Sequence, residues 1–389
     1  MTDLKILTSH PVQYQVPFFR KIMANDISIE VGYYHQGTAG QVGHDTEFGI
    51  DIEWDIDLIN GYHHRIFRQN PVNFLLTDQI KIAPKVVGWV LRERQVPLLL
   101  FGWGFHLMWF VWLLRVLFRA PVMIISETNL LSFAATHKPC WRVFLLRWLL
   151  QRTSACFYIG TRNREFYNSM GVPDKRLFHT PYSVENAYFA AEAKRLMLRR
   201  QELCQQYGLD PVLPTFVFCG KLITKKRPLQ LLEAYLDADL QEHAQLLFIG
   251  EGSLRPELEE RIQAVGAKNV HLIGFLNQTE MPLAYVLGQL LCLISEPTET
   301  WGLVVNEALA CGCPVIVTET VGCAPDLVGQ ENGWIVPLDN REQLTQALRD
   351  AYEFRNKWPD MESVGQLKVA NHTFAVMAAG VGEALSGIE

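Results

Sequence analysis

The sequence has no patterned cysteines. Its eight cysteines are scattered, and only Cys311 and Cys313 lie close together, straddling Gly312 with no second pair to complete a four-ligand metal site. That excludes a disulfide scaffold and points to a reducing compartment. Low-complexity tracts are also missing: 49% of residues are hydrophobic and 20% charged, so the chain has the material for sizeable cores. The opening stretch, MTDLKILTSHP, lacks the apolar run and cleavage site of a signal peptide and reads as an immediate first strand. The expected location is therefore cytoplasmic, with peripheral contact on the inner face of the membrane as its furthest extension. One run without formal charge, Pro97 to Leu114, has the length of a membrane span. Gly102-Trp103-Gly104 divides it into a short strand and a helix start, and Arg115 and Arg119 interrupt the helix beyond it.

The chain does show a regular alternation of short apolar strands with helical stretches, across a length that suits two domains. Strands are expected at Lys5–Thr8, Ser28–Tyr34, Leu98–Phe101, Val122–Ile125, Ala155–Ile159 and Leu177–Thr180 in the first half. In the second half they are expected at Thr215–Cys219, Gln245–Ile249, Val270–Leu272, Leu291–Ile294 and Pro314–Val317. Such alternation predicts parallel sheets with crossover helices, twice over: an α/β chain of two doubly wound, Rossmann-like domains facing a central cleft. The boundaries read as a first domain over 1–190, a linker over 191–213, a second domain over 214–370, and a last helix over 371–389 that packs back across the first.

Charge is distributed unevenly. Between Phe101 and Arg200 there are 14 Lys and Arg against 5 Asp and Glu, so this segment is +9 and the remainder −15. The expected helices here, about His106–Phe118 and Trp141–Gln151, mix arginine with Phe, Leu and Trp. Basic and aromatic side chains together suit a membrane interface; two ordinary helices packed on a sheet are the other reading. No nucleic-acid partner is expected.

In open parallel sheets, ligands bind beyond the carboxyl ends of the strands. Three such loops carry Gly220-Lys221 with Lys225-Lys226-Arg227, Gly250-Glu251-Gly252, and EPTETWGLVVNEALACGCPVI from Glu296 to Ile316. In the last, Thr298 or Thr300 is the expected cap of a helix over about Gly302–Ala310, whose free amides at Gly302 and Leu303 attract phosphate. Carboxylates repel phosphate but accept well from vicinal hydroxyls, so Glu299 and Glu307 on either side of that helix end suit the two sugars of a nucleotide diphosphate sugar. Lys221 and Lys226 would neutralise the departing diphosphate. Gly250-Glu251-Gly252 lacks the spacing of a dinucleotide fingerprint.

Together these features resemble the retaining GT-B glycosyltransferases, glycosyltransferase family four, or glycosyl transferases group 1. The signature of a glutamate, seven residues, a second glutamate and an alanine-rich turn into Gly-x-Pro-Val is matched by ETWGLVVNEALACGCPVI. FCGKLITKKRP is similar to the family's phosphate loop, LLFIGEGSLRPELEE to its second phosphate-side strand and loop, NVHLIGFL to its base-binding strand, and PYSVENAYF to the segment leading into the linker. The resemblance implies contacts from Glu299 to the donor sugar, from Glu307 to the ribose, and from Lys226 to the diphosphate. It places Gly220, Gly250, Gly252, Phe275, Gly302, Leu303 and Val304 around a UDP- or GDP-linked donor, with no further cofactor. Lys221 stands where the family usually has arginine, which loses a bidentate fork but keeps the charge. The first loop, SHPVQYQVPFFR, departs from the family's glycine there and has His10, Pro11 and Gln13. His10, Gln13, Trp103 and Glu127 follow strands of the first domain and are expected on the acceptor side.

Asp55-Ile56-Asp57 and Asp237-Ala238-Asp239 have the aspartate spacing with which the other large glycosyltransferase fold holds a divalent metal. The first alternates in a strand-like EWDIDL and the second ends a helix, so no metal is expected, and His63-His64 reads as a loop. The expected activity is transfer of a hexose, without a metal, to a hydroxyl of a lipid-linked or amphiphilic glycan. The alternatives are transfer to a small soluble acceptor and a non-catalytic nucleotide-sugar-binding subunit.

Overall fold

Side chains on both faces of a parallel strand meet helices, so such strands are apolar almost throughout. In the computed structural model, which describes residues 2–69, 74–136 and 138–388, the first half forms β1 (Leu4–Thr8), β2 (Ile29–Tyr33), β3 (Gly43–Asp45), β4 (Ile50–Ile52), β5 (His63–Ile66), β6 (Leu98–Phe101), β7 (Val122–Ile125), β8 (Ala155–Tyr158) and β9 (Leu177–His179). Seven of these make one parallel sheet, ordered β5-β2-β1-β6-β7-β8-β9, while β3 and β4 make a separate ribbon. The second half forms β10 (Thr215–Cys219), β11 (Gln245–Ile249), β12 (Val270–Gly274), β13 (Leu290–Leu293), β14 (Val315–Thr318) and β15 (Gly333–Val336). They make a six-stranded parallel sheet, ordered β12-β11-β10-β13-β14-β15. In each sheet the strand order reverses at one place, between β1 and β6 and between β10 and β13. A loop leaving either strand of such a pair turns away from its neighbour and opens a crevice at the carboxyl ends.

The chain divides into two units. The first comprises Met1–His44, Ile52–Tyr182 and Phe374–Glu389, and the second Asp45–Asp51 and Ser183–Thr373. The stretch expected as a linker, 191–213, is folded structure of the second unit. It carries the end of a helix over Asn186–Met197 and a second helix over Arg200–Gln206. Arg200 secures them by donating to the carbonyls of Pro211 (3.0 Å), Val286 (3.0 Å) and Leu287 (3.2 Å).

Four strands lie outside the sequence expectation: β3 and β4 of the separate ribbon, and β5 and β15 of the two large sheets. β5 is exposed and polar, HHRI, and contains the His63-His64 doublet that reads as a loop. β15, GWIV, sits at the edge of the second sheet. Asp55-Ile56-Asp57 lies outside any strand, because the Asp57 carboxylate accepts the amides of Ile59 (3.1 Å) and Asn60 (3.2 Å) and turns the chain there. Among the described residues, no group of three or more His, Cys, Asp and Glu side chains is placed to hold a metal ion. No helix among them is long and apolar enough to cross a membrane. The charge-free run Pro97–Leu114 becomes β6 and much of a helix over His106–Leu117, with Trp112 and Val111 fully buried.

The last helix, Phe374–Ser386, belongs to the first unit and lies against the helix Val16–Ala24 and β9. Gly380 makes that approach possible: a Cβ there would come within 2.4 Å of the His179 carbonyl oxygen, whereas one at Gly382 would meet only Ile27 at 3.7 Å. Alanine is the better helix former by roughly 1 kcal/mol. Gly382→Ala is therefore expected to hold or raise stability in urea titration. Gly380→Ala is expected to lower it by about 1–3 kcal/mol as the helix is pushed off β9.

Candidate functional site

Backbone bonds between neighbouring strand ends build the site in the second unit. The Gly220 amide donates to Ile249 O (2.9 Å), the Gly250 amide to Gly274 O (2.7 Å), and the Leu222 amide to Glu251 O (2.8 Å). The loops after β10, β11 and β12 are thereby stitched side by side. A Cβ on Gly250 would lie 2.0 Å from Gly220 O, and one on Gly252 would lie 2.5 Å from Leu222 O. These two glycines, expected as donor contacts, are required first by loop-on-loop packing.

Across the reversal point, the loop after β13 is held by its own network. Thr318 and Thr320 both donate to Ser295 O at 2.7 Å, the Glu299 amide bonds Glu296 O (2.9 Å), and Gly322 donates to Glu299 O (3.1 Å). Trp301 is buried and donates from Nε1 to Asn306 Oδ1 (2.8 Å), which ties the loop to the helix Leu303–Ala310. Neither Thr298 nor Thr300 caps that helix. The cap position is Gly302, in the left-handed region at φ +97°, with no side-chain bond. Val305 N–H donates to Gly302 O (2.9 Å), which leaves the amides of Leu303 and Val304 ahead of the first helical bond, at the positive end of the dipole.

The charged residues gather in two places. Lys226, in the short turn Thr224–Lys226 after β10, forms an ion pair with Glu299, and both side chains are only 14% exposed. Burial alone would raise the Glu299 carboxyl, but Lys226 outweighs it, with help from Lys225, and holds the group below its usual range. Lys221 does not join them. It pairs with Glu47 (2.7 Å) and Asp45 (3.3 Å) and lies over the Phe48 ring at 4.8 Å. Phe48 in turn meets Phe275 edge to face at 5.2 Å. The expectation for Lys221 is neutralisation of the departing diphosphate; in the structure its charge is offset by two carboxylates.

Glu307 is the second buried acid. Its carboxylate accepts from Tyr285 Oη (2.6 Å) and Gln278 Nε2 (3.3 Å). Burial pushes its carboxyl up to about 7, against those two bonds, which pull it down. Burial, and then the Glu307 charge, raise the Tyr285 phenol well above its ordinary value, so it remains a donor. Sequence reasoning missed Tyr285 and Gln278. Tyr285 sits in an apolar helical stretch, PLAYVL, where it reads as core, and Gln278 lies in the loop after β12, where inspection of strand ends would have found it.

In the first unit, His10 follows β1, Trp103 follows β6 and Glu127 follows β7, three neighbours in the sheet. His10 bonds Ser9 Oγ (3.0 Å) and stacks on His35 at 5.1 Å, and burial lowers its imidazole. Gln13 is half-buried. Trp103 is committed elsewhere than expected: its ring stacks on Trp112 (6.0 Å) and meets Phe166 (6.1 Å) in the core cluster. Glu127 accepts a hydrogen bond from Tyr182, whose ring meets Tyr14 edge to face at 5.4 Å. Tyr14 and Tyr182 also escaped sequence reasoning, although both follow strands of this sheet.

Known proteins resemble the chain at two levels, sequence in the second unit and fold throughout. Residues 199–365 match the family model for Glycosyl transferases group 1. A GDP-mannose-dependent alpha-(1-6)-phosphatidylinositol dimannoside mannosyltransferase of Mycobacterium tuberculosis is 31% identical over 155 residues, 39% of this chain and 39% of its own length. An N-acetylgalactosamine-N,N'-diacetylbacillosaminyl-diphospho-undecaprenol 4-alpha-N-acetylgalactosaminyltransferase of Campylobacter jejuni is 31% identical over 136 residues, 34% of this chain and 36% of its own. The chain thus spans about two fifths of the length of the curated relatives it matches. Among solved structures, Anabaena HepE in complex with UDP and glucose superposes with a TM-score of 0.74 at 15% identity, over 99% of this chain and 100% of that one. The fold is GT-B.

Glu307 supplies a pH test of the site. A carboxyl raised to about 7 in the folded chain and ordinary when unfolded contributes stability below about pH 4.5 that is lost as pH rises through 7. Glutamine does not titrate. The stability of Glu307→Gln relative to wild type should therefore rise by about 3 kcal/mol between roughly pH 4 and pH 8 in thermal or urea unfolding. A difference that stays flat with pH would show that Glu307 is not held as a raised acid.

Proposed function

We propose that the protein is a retaining glycosyltransferase. It moves a hexose from a UDP- or GDP-linked sugar to a hydroxyl of a lipid-linked or amphiphilic glycan. The observation that carries this reading is the pair of buried acids around one helix end in the second unit: Glu299 on Lys226 before it, and Glu307 on Tyr285 within it. In this reading the diphosphate lies on the amides of Leu303 and Val304. Lys226 moves from Glu299 onto the diphosphate and frees that carboxylate for the sugar hydroxyls. Glu307 takes the ribose hydroxyls. The acceptor hydroxyl forms its bond to the anomeric carbon on the face from which the diphosphate leaves. The carbon–phosphate-oxygen bond breaks, and the acceptor proton passes to that departing oxygen. Charge is balanced by lysine and helix dipole, so the reading invokes no metal. The names of the Mycobacterium and Campylobacter relatives include lipid moieties, phosphatidylinositol and diphospho-undecaprenol, which supports the acceptor class. The basic aromatic helices of the first unit support peripheral membrane contact.

The glutamates are separable. Glu299→Gln should keep nucleoside diphosphate affinity within a few fold in calorimetric titration and lower turnover by about two orders of magnitude, since its contact is strongest in the transition state. Glu307→Ala and Lys226→Ala should both weaken nucleotide binding. Turnover that survives Glu299→Gln while nucleotide binding collapses would reverse the two assignments.

On the acceptor side, this reading gives Glu127, which accepts from Tyr182, the role of orienting the incoming hydroxyl. Glu127→Gln and Tyr182→Phe should each reduce transfer much more than donor binding or melting temperature. Normal transfer in both variants, measured with the donor identified by a thermal-shift screen of UDP, GDP and their sugars, would return this pair to a structural role.

A further inference from the structure

At the opposite, amino-terminal end of the first sheet, the residues just before β6, β7 and β8 floor an open pocket of about 880 Å³. Three arginines from three connections line it: Arg94, Arg119 and Arg152. Among the described residues its lining includes no carboxylate. Each arginine follows the carboxyl end of a helix, where a cation ordinarily serves the last-turn carbonyls. Arg152 does so, donating to Trp148 O (3.2 Å) with its guanidinium 4.4 Å over the Trp148 ring. Nearby Arg115, fully buried, bonds the last-turn carbonyl of Val90 and the carbonyls of Val96 and Pro121 in two connections. Arg94 and Arg119 do not: their side chains have no hydrogen-bond or ion-pair partner among the described residues, and Arg119 holds a left-handed backbone at φ +52°. Among the described residues three charges converge here with no carboxylate in the lining, and two of the three have no side-chain partner.

The rim tells which anion is suited. Phe118 lines the pocket and is 49% exposed, and Leu117 beside it is 61% exposed. The helix Cys140–Leu150, which leads to Arg152, exposes Phe144 by 72% near its middle. A site for a soluble anion has no use for bare leucine and phenylalanine at its edge, whereas a lipid headgroup brings an apolar phase with it. We propose that Arg94, Arg119 and Arg152 bind the phosphate of anionic phospholipid headgroups, with Leu117 and Phe118 entering the acyl boundary. This rests on the reading that the acceptor is presented at a lipid surface. It uses no residue of the donor site and lies at the far end of the sheet from His10 and Glu127.

The test is co-sedimentation of the full chain with vesicles of phosphatidylcholine alone and of phosphatidylcholine mixed with phosphatidylglycerol, without acceptor or donor. Wild type should partition onto the mixed vesicles and not the neutral ones. The triple variant Arg94→Gln, Arg119→Gln, Arg152→Gln should lose about a hundredfold in partitioning, and the corresponding lysine triple should keep it. Equal partitioning of the glutamine triple, or equal binding of wild type to neutral vesicles, overturns the proposal. So does a saturable thermal shift with inorganic phosphate that the glutamine triple loses while wild type ignores the vesicles, which would make the ligand a free anion. Thermal shifts with UDP and GDP on the same proteins report on the donor site separately. A failed vesicle result with intact nucleotide response sinks this inference alone.

Discussion

The second unit depends on a contact that leaves no room for a side chain: the backbone of Gly250 against Gly220, 2.0 Å from where a Cβ would have to lie. With it, the Gly220 amide on Ile249 O, the Leu222 amide on Glu251 O and the Gly250 amide on Gly274 O hold three loops in one layer at the carboxyl ends of β10, β11 and β12. Without that layer the turn that carries Lys226 would have nothing beneath it. Lys226 could not then reach Glu299, which arrives from β13 across the point where the strand order reverses. The chemistry depends on the packing, because a crevice exists only where neighbouring loops diverge, and only the loops on either side of it can supply charges to it.

Two glutamates eight positions apart are driven in opposite directions by their surroundings. Glu299 is buried beside a cation and is held ionised; Glu307 is buried beside a phenol and an amide and is raised to about 7. Desolvation acts on both, and the difference is the nearby lysine. The same balance of charges explains the state of Lys221, which is offset by Asp45 and Glu47. In the first unit the balance runs the other way. Its arginines outnumber acids between Phe101 and Tyr182, and several stand beside exposed aromatic and aliphatic side chains rather than beside carboxylates.

Much of the architecture is legible in the residues themselves. Segments such as TFVFC, QLLFI and VIVT are apolar at consecutive positions, which only a strand covered on both faces requires, and helical stretches separate them at crossover length. β5 escapes this reasoning because HHRI is a polar edge with one face in solvent, and β15 because GWIV is short and opens on glycine. The stretch 191–213 reads as a linker because its charges suggest exposure. Its membership of the second unit is decided by Arg200 and carbonyls 86 and 87 residues away in the chain.

By itself the sequence determined the strand–helix alternation, the glycine- and lysine-bearing loops at strand ends, and the spacing of Glu299 and Glu307, since each is a local property of consecutive residues. Tertiary structure alone decided which charges neutralise which. Lys226 meets Glu299 across 73 positions and Lys221 meets Asp45 across 176. It also decided that Tyr285 grips Glu307, that Trp103 is spent on the core, and that Arg94, Arg119 and Arg152 share one pocket. The reason is physical: a carboxyl's ionisation and an arginine's partner depend on what lies within a few ångströms in space, and a doubly wound sheet brings together loops that are far apart in the chain.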